Sequence, residues 1–320
     1  MSTHSGETTA GTDLAIRCAG LTMAYGDRLV LDGLDLEIPR GQVVALLGPN
    51  GAGKTTTIEI LEGFRRPSGG RVEVLGVDPA TAPESWRARV GVVLQSWRDH
   101  STWRVHELLD VMAAYYAPYS DERADRPWPT ADLLDRVGLS GHVTHRIDKL
   151  SGGQRRRLDV AIGLVGRPEL LFLDEPTTGL DPAGRRDVHD LLADLADLDT
   201  TILMTTHDLA EAETVADRML VLAGGSLVAD GSPDSLRLDF SRNSEVRLRE
   251  IATGEVTVHA TPDPTAYLTE VLATRPGAVQ VLEVRTASLE DAYLDLVRRT
   301  ETAGAPDAPS TVTPEEVAAR

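Results

Sequence analysis

The chain has 320 residues, with 50 acidic residues against 32 lysines and arginines and a formal net charge of -18. This length suits one domain of about 200 residues and either a smaller domain or tails. The acidic surface repels phosphate backbones, which makes nucleic acid a poor candidate partner. The single cysteine, Cys18, excludes an internal disulfide, and no group of histidines and cysteines has metal-ligand spacing.

The first three quarters of the chain predict an α/β domain. Residues 1–13 are predicted to be disordered and lack the basic and apolar regions of a secretory signal. Short β-rich pieces from Leu14 to about residue 38 predict a small antiparallel β-layer. From Gln42 onward, the apolar runs VVALLG, RVGVVL, LLFLDE, TILMTT and RMLVLAGG predict parallel strands buried on both faces. Their alternation with helical stretches predicts a doubly wound sheet that binds ligands at the carboxyl ends of its strands.

Two further regions interrupt or follow this α/β pattern. Apolar residues recur at helical spacing at Val105–Tyr116 and 131–137, so we interpret residues 96–165 as a helical subdomain inserted into a domain of residues 14–238. Residues 241–300 predict a small accessory α+β domain, whose last helix (289–299) begins at a capping box of Ser288 and Asp291. The tail, 301–320, is predicted to be disordered. No run reaches the ~20 apolar residues that a bilayer span needs.

The segment GPNGAGKTT lies between a buried strand and a helix that begins near Lys54. Its first eight residues match G-x-x-x-x-G-K-[ST], the P-loop pattern. The backbone N–H groups of such a loop surround phosphates, Lys54 reaches them, and the Thr55 hydroxyl binds Mg²⁺. The alternative is a glycine-rich βα turn without a ligand. The candidate nucleotide-binding residues are Gly48, Pro49, Asn50, Gly51, Ala52, Gly53, Lys54, Thr55 and Thr56.

A second strand, in the segment ELLFLDEP, ends in two carboxylates. Asp174 would lie beside the P-loop and hold the Mg²⁺ shell. Glu175 could accept the proton of an attacking water. Considered alone, such a strand end is more often an ordinary solvated one, and the preceding P-loop reverses that preference.

The segment LSGGQ at residues 150–154 precedes an apolar helix. Ser151, Gly152 and Gly153 form a helix N-terminus that can bind phosphate. On this motif the chain resembles the ABC ATPase superfamily over residues 14–236. In that family the segment closes over ATP held by the P-loop of a partner subunit, which implies nucleotide contacts for Ser151, Gly152, Gly153 and Gln154.

The resemblance assigns roles to further residues. Gln95 resembles the Q-loop glutamine that contacts Mg²⁺ and water, Asp181 the D-loop aspartate that crosses the dimer interface, and His207 the switch histidine of the γ-phosphate. The other seven of the eight histidines are interpreted as ordinary polar residues. Tyr25 matches the aromatic residue that stacks on adenine, although a lone tyrosine in a strand equally often only packs. The implied catalytic residues are Glu175, His207 and Gln95, and the implied metal residues are Thr55, Gln95 and Asp174.

The whole pattern is similar to the ATPase subunits of ABC-2 type exporters, including the daunorubicin-resistance group. This resemblance implies ATP and Mg²⁺ as cofactors, a head-to-tail ATPase dimer, and a separate polytopic permease at the cytoplasmic face of the cell membrane, without direct bilayer insertion. The chain's only asparagines, Asn50 and Asn243, provide no Asn-Lys-x-Asp reader of guanine, so ATP is favoured over GTP. The alternatives are an ABC importer ATPase and a soluble ABC ATPase that acts on ribosomes or DNA.

Overall fold

The computed structural model of the protein describes residues 13–95, 100–196, 200–241, 244–285, 290, 293–294 and 296–298. The predicted disordered termini, 1–13 and 301–320, lie outside the described residues apart from Asp13. Ser288 and Asp291, which form the predicted capping box, also lie outside them, so the start of the last helix stays a prediction.

Strands and helices alternate through most of the described chain. In chain order, the strands are β1 (Leu14–Tyr25), β2 (Arg28–Pro39), β3 (Val43–Leu47), β4 (Gly69–Val74), β5 (Val90–Val93), β6 (Leu170–Asp174), β7 (Thr201–Thr206), β8 (Arg218–Ala223), β9 (Ser226–Gly231), β10 (Ser244–Glu250), β11 (Val256–Thr261) and β12 (Val279–Arg285). The helices are α1 (Lys54–Leu61), α2 (Glu84–Arg87), α3 (Val105–Tyr116), α4 (Thr130–Arg136), α5 (Gly152–Leu164), α6 (Pro182–Ala196), α7 (Leu209–Val215), α8 (Pro233–Ser241) and α9 (Pro264–Thr274).

The central sheet has six strands in the order β5-β6-β7-β3-β8-β9. The first five pair in parallel, and β9 is an antiparallel edge strand on β8. All five predicted parallel strands belong to this sheet. Strands β3, β6 and β7 end at the same edge, so their carboxyl ends bring residues that are distant in sequence close together.

The central sheet is buried on both faces, and successive side chains enter opposite cores. Along β3, Ala45 and Leu47 pack in the core that contains Leu108 of α3 and Leu158 of α5. Leu46 packs in the other core, which the β-layer and α1 cover. The central sheet is therefore packed between two layers, and this packing fixes the positions of the strand ends and of the side chains that they carry.

The predicted β-layer is a three-stranded antiparallel sheet in the order β2-β1-β4. Strand β4 was not predicted from the sequence, because its glycine-rich start at Gly69 has no clear alternation. Gly70 follows with a φ of 84°, and an added Cβ would lie 2.3 Å from the carbonyl oxygen of Gly20, so this strand approaches β1 too closely for any side chain there.

The helical insert contains α3, α4 and α5. Helix α4 begins at Thr130, one residue earlier than predicted, directly after Pro129. Proline is tolerated at the start of a helix because the N–H that it lacks would have no partner within the helix. The accessory region contains a separate three-stranded antiparallel sheet in the order β11-β10-β12, together with α9. Tyr293 and Val297, from the predicted last helix, are buried in the same core as Leu158, so this end of the chain packs on the α/β domain. None of the helices in the described part of the chain combines the length and apolar character needed to cross a bilayer.

Candidate functional site

The P-loop connects β3 to α1 in a backbone path that only glycine allows at two positions. An added Cβ on Gly48 would lie 2.3 Å from the carbonyl oxygen of Leu222, so β8 packs directly against the loop. Gly53 has a φ of 106°, and its Cβ would lie 2.7 Å from a methyl group of Leu31. The loop is thus held tightly from two sides before helix α1 begins at Lys54, as the sequence predicts.

The side chain of Lys54 is 7% exposed and folds over its own loop. Its Nζ donates hydrogen bonds to the carbonyl oxygens of Gly48 at 2.6 Å and Pro49 at 3.2 Å. Burial lowers the pKa of Lys54, while the carboxylates of Glu175 and Asp174 oppose this shift. The ammonium group therefore lies within electrostatic reach of both strand-end acids.

A carboxylate that the sequence analysis did not single out, Glu62, follows α1 and is 9% exposed. Burial, together with the nearby carboxylates of Asp174 and Glu59, raises its pKa to about 8. The ordinary pKa is 4.5, so between about pH 4.5 and about pH 8 the folded protein keeps a proton on Glu62 that the unfolded chain releases. The contribution of Glu62 to stability therefore falls as the pH rises from about 4.5 to about 8.

Replacing Glu62 with glutamine is expected to remove this pH dependence, because the amide cannot ionise. The free energy of unfolding of Glu62→Gln should exceed that of the wild type by roughly 2 to 4 kcal/mol at about pH 8 and by much less at about pH 5. Urea denaturation of both proteins at the two pH values measures the difference. An identical offset at both pH values would show that folding does not raise the pKa of Glu62.

The strand-end acids lie at the end of β6, where β7 supports them. Thr205 of β7 donates its hydroxyl to Oδ1 of Asp174 at 2.5 Å, and its oxygen accepts the backbone N–H of Glu175 at 3.1 Å. The backbone φ of Glu175 is 44°, a value that is uncommon for any residue other than glycine. A single threonine thus fixes the Asp174 carboxylate and the strained turn that aims Glu175.

The three residues that the resemblance assigns to catalysis meet at the carboxylate of Glu175. Its Oε2 accepts hydrogen bonds from the Gln95 side-chain amide at 3.3 Å and from the Thr178 hydroxyl at 2.8 Å. Its Oε1 lies 3.2 Å from Nδ1 of His207. The Glu175 side chain is 15% exposed, whereas that of His207 is 58% exposed. The result is a half-buried carboxylate between two polar side chains that can reach a ligand.

Tyr25 ends β1 beside the P-loop helix. Its hydroxyl lies 3.5 Å from Oγ1 of Thr56, and the guanidinium of Arg65 lies 5.0 Å from the centre of its ring. The residue as a whole remains 42% exposed. Tyr25 therefore lies next to residues 48–56 and is open to solvent.

The LSGGQ segment starts α5 with a reciprocal capping box. The backbone N–H of Gln154 donates to Oγ of Ser151 at 3.3 Å, and the backbone N–H of Ser151 donates to Oε1 of Gln154 at 3.0 Å. This helix end opens into a cavity of about 470 Å³ that Asp181 also lines. Among the described residues that line this cavity, none comes from the P-loop. The start of α5 and the P-loop at the start of α1 therefore lie at separate places on one chain.

A buried arginine that was not predicted from the sequence connects α5, the helix after the LSGGQ segment, to the backbone beside Gln95 and Glu175. Arg156 of α5 is 6% exposed and donates to three carbonyl oxygens: Pro176 at 2.6 Å, Leu94 at 2.7 Å and Asp174 at 3.1 Å. The local pattern gives no signal, because all three acceptors are backbone atoms from other segments.

Comparison with known proteins adds to this geometry. The family model of the ABC transporter ATPase, described as "ABC transporter", matches residues 31–178. The daunorubicin/doxorubicin resistance ATP-binding protein DrrA of Streptomyces peucetius is 38% identical over 303 residues, which cover 88% of this chain and 91% of that protein. The chain belongs to the ABC transporter family.

Other relatives agree with this assignment. The Nod factor export ATP-binding protein I of Cupriavidus metallidurans is 37% identical, with 86% of this chain and 94% of that protein covered. Among solved structures, an ATP-binding subunit of an ABC transporter has a TM-score of 0.60 at 29% identity and covers 71% of this chain and 93% of its own. The cbiO1 protein of Clostridium perfringens has a TM-score of 0.60 at 27% identity, with 70% and 90% covered.

These matches confirm the predicted fold class, an ABC-type P-loop ATPase domain. They also confirm the predicted activity: this ABC protein is an ATP-binding and ATP-hydrolysing subunit of an exporter. The importer and the ribosome- or DNA-acting alternatives are not favoured.

Proposed function

We propose that Glu175 is the general base of ATP hydrolysis in this protein. The observation that carries the proposal is the meeting of Gln95, Thr178 and His207 at one carboxylate, next to the buried ammonium of Lys54. Phosphoryl transfer needs positioning and charge stabilisation more than covalent chemistry. A carboxylate fixed by three partners can orient a water and accept its proton, while Lys54 stabilises charge on the phosphate oxygens.

The nucleotide is proposed to lie along residues 48–56, with its phosphates on the N-terminus of α1 and its base on Tyr25. The side chains of Thr55, Gln95 and Asp174 supply hydroxyl, amide and carboxylate oxygens, the donor types that Mg²⁺ prefers. Asp174 already accepts a hydrogen bond from Thr205, which fixes the carboxylate as a metal ligand requires. When bound, Mg²⁺ would neutralise phosphate charge.

The second half of the site is proposed to come from a partner copy. Ser151, Gly152, Gly153 and Gln154 form a helix start that opens into a cavity with Asp181, away from the P-loop of their own chain. A helix N-terminus favours anions, so this surface suits the γ-phosphate of ATP bound by another subunit. A head-to-tail dimer with two composite sites follows, with ATP between the copies.

The dimer is proposed to act on a separate polytopic permease at the cytoplasmic face of the cell membrane, without inserting into the bilayer itself. The names of its relatives concern daunorubicin and doxorubicin resistance and Nod factor export, which favours a drug, natural product or lipid-like cargo. The helical insert (96–165) would transmit motion to the permease, and residues 241–300 would form an accessory domain next to the ATPase domain (14–238).

Affinity purification from membranes of the native host tests this assignment. We expect the tagged Glu175→Gln variant to retain a polytopic membrane protein, and ATP with Mg²⁺ to convert the purified variant from monomer to dimer in light scattering. Retention of ribosomes or DNA in place of a membrane protein would contradict the proposed function. So would a variant that stays monomeric at saturating ATP.

A further inference from the structure

A histidine next to the LSGGQ segment has an unusual position. His142 ends a short 3₁₀ turn, Ser140–His142, and its ring lines the same cavity as residues 151–154. Its Nε2 lies 3.0 Å from Nε2 of the Gln154 side chain. The ring therefore contacts the residue that closes the capping box of α5.

The capping box decides which way the Gln154 amide points. The backbone N–H of Ser151 donates to Oε1 of Gln154 at 3.0 Å, so the amide oxygen faces Ser151 and the amide nitrogen faces His142. An amide nitrogen can only donate. Nε2 of His142 must therefore accept, which requires a neutral imidazole with its proton on Nδ1.

Protonation of His142 would break this arrangement. An imidazolium donates from both nitrogens, so two donors would face each other across 3.0 Å. Gln154 could then offer Oε1 to the ring only by withdrawing it from the backbone N–H of Ser151. Nδ1 of His142 is buried and has no hydrogen-bond partner within the described part of the chain, so it gives the ring no second anchor.

The charged groups around the ring are otherwise engaged. From α5 and α6, Arg157 and Asp187 line the cavity and form an ion pair with each other. Asp181 accepts the backbone N–H of Gly184 at 2.7 Å. On the ring's own loop, the centroid of His145 lies 5.0 Å from that of His142. Among the described residues, the hydrogen bond to Gln154 is therefore the only one that the His142 ring makes.

We propose that His142 is a positioning residue that holds the LSGGQ capping box in its phosphate-binding form only while its ring is neutral. The proposal rests on the proposed function in one respect, namely that Ser151–Gln154 contact ATP on a partner subunit. Protonation weakens the box by one hydrogen bond, so ATP hydrolysis by the dimer should lose roughly threefold or more of its rate in acid through this group.

The pH profile of ATP hydrolysis tests the proposal with three variants of the full chain. His142→Gln supplies an acceptor that does not titrate, so its rate relative to the wild type should rise roughly threefold between about pH 8 and about pH 6. His142→Phe supplies no acceptor and should be slower than His142→Gln at every pH. His145→Gln, the matched control, should follow the wild type. A His142→Gln profile superimposable on that of the wild type would overturn the proposal.

The tautomer provides a second measurement that does not depend on catalysis. In ¹⁵N-histidine-labelled protein near pH 8, the resonances that disappear in His142→Gln should show a protonated Nδ1 and a bare Nε2. The opposite tautomer would overturn the proposal on its own. Ser151→Arg separates the proposed function from the role of His142. If Ser151→Arg leaves hydrolysis intact, the proposed function fails. If Ser151→Arg abolishes hydrolysis but His142→Gln has the pH profile of the wild type, only the role of His142 is refuted.

Discussion

Replacing Glu175 with glutamine is expected to lower the turnover of ATP by at least about a hundredfold, because a general base contributes about 10² to 10⁴ to such rates. The amide can keep its contacts with Thr178 and His207, but it cannot accept a proton from water. ATP binding should remain within about threefold of the wild type, since binding rests on Lys54 and the loop backbone. Steady-state phosphate release and equilibrium nucleotide binding measure the two quantities.

A matched control separates loss of the base from loss of charge. Glu255 is exposed in the turn between β10 and β11, so Glu255→Gln changes the net charge equally and should hydrolyse ATP at the wild-type rate. A Glu175→Gln protein with wild-type turnover would refute the assignment of the base. A variant that no longer binds ATP would show that Glu175 acts in binding.

Replacing Arg156 with methionine is expected to lower the free energy of unfolding strongly. Its guanidinium satisfies the carbonyl oxygens of Leu94, Asp174 and Pro176, and each buried acceptor left without a donor costs about 1 to 3 kcal/mol. The free energy of unfolding should therefore fall by roughly 3 kcal/mol or more. Turnover should also fall, at least about tenfold, because Leu94 precedes Gln95 and the base follows Asp174.

Chemical denaturation of Arg156→Met checks the first expectation. Arg186 is exposed on α6, so Arg186→Met removes the same charge and shortens the side chain equally. Its free energy of unfolding should stay within about 0.5 kcal/mol of that of the wild type. Equal losses in the two variants would mean that Arg156 contributes only its charge. Wild-type turnover in a destabilised Arg156→Met protein would limit its role to folding.

The parts of the site that lie within one segment could be predicted from the sequence. The P-loop carries its own backbone requirements at Gly48 and Gly53, and the apolar run before Asp174 identifies the strand that ends there. Ser151 and Gln154 form their capping box at a spacing of three residues. Such local patterns specify both the element and the direction in which its end points.

Contacts between distant segments could not be predicted in this way. Thr205 supports Asp174 from 31 residues away, and Arg156 reaches Leu94 across 62 residues. Threonine in a strand and arginine in a helix are common for local reasons, so neither residue type indicates its distant partner. His142 was interpreted as an ordinary polar residue, because its acceptor role depends on how the Gln154 amide is oriented by Ser151.

The composite site is tested most directly by mixing two inactive proteins. Lys54→Ala disables the P-loop and Ser151→Arg disables the LSGGQ segment, so neither protein alone should hydrolyse ATP. If the sites form between copies, the dimers that contain one of each hold one intact site. An equal mixture should then recover about a quarter of the wild-type rate by random pairing. A mixture no more active than its parents would contradict the head-to-tail dimer.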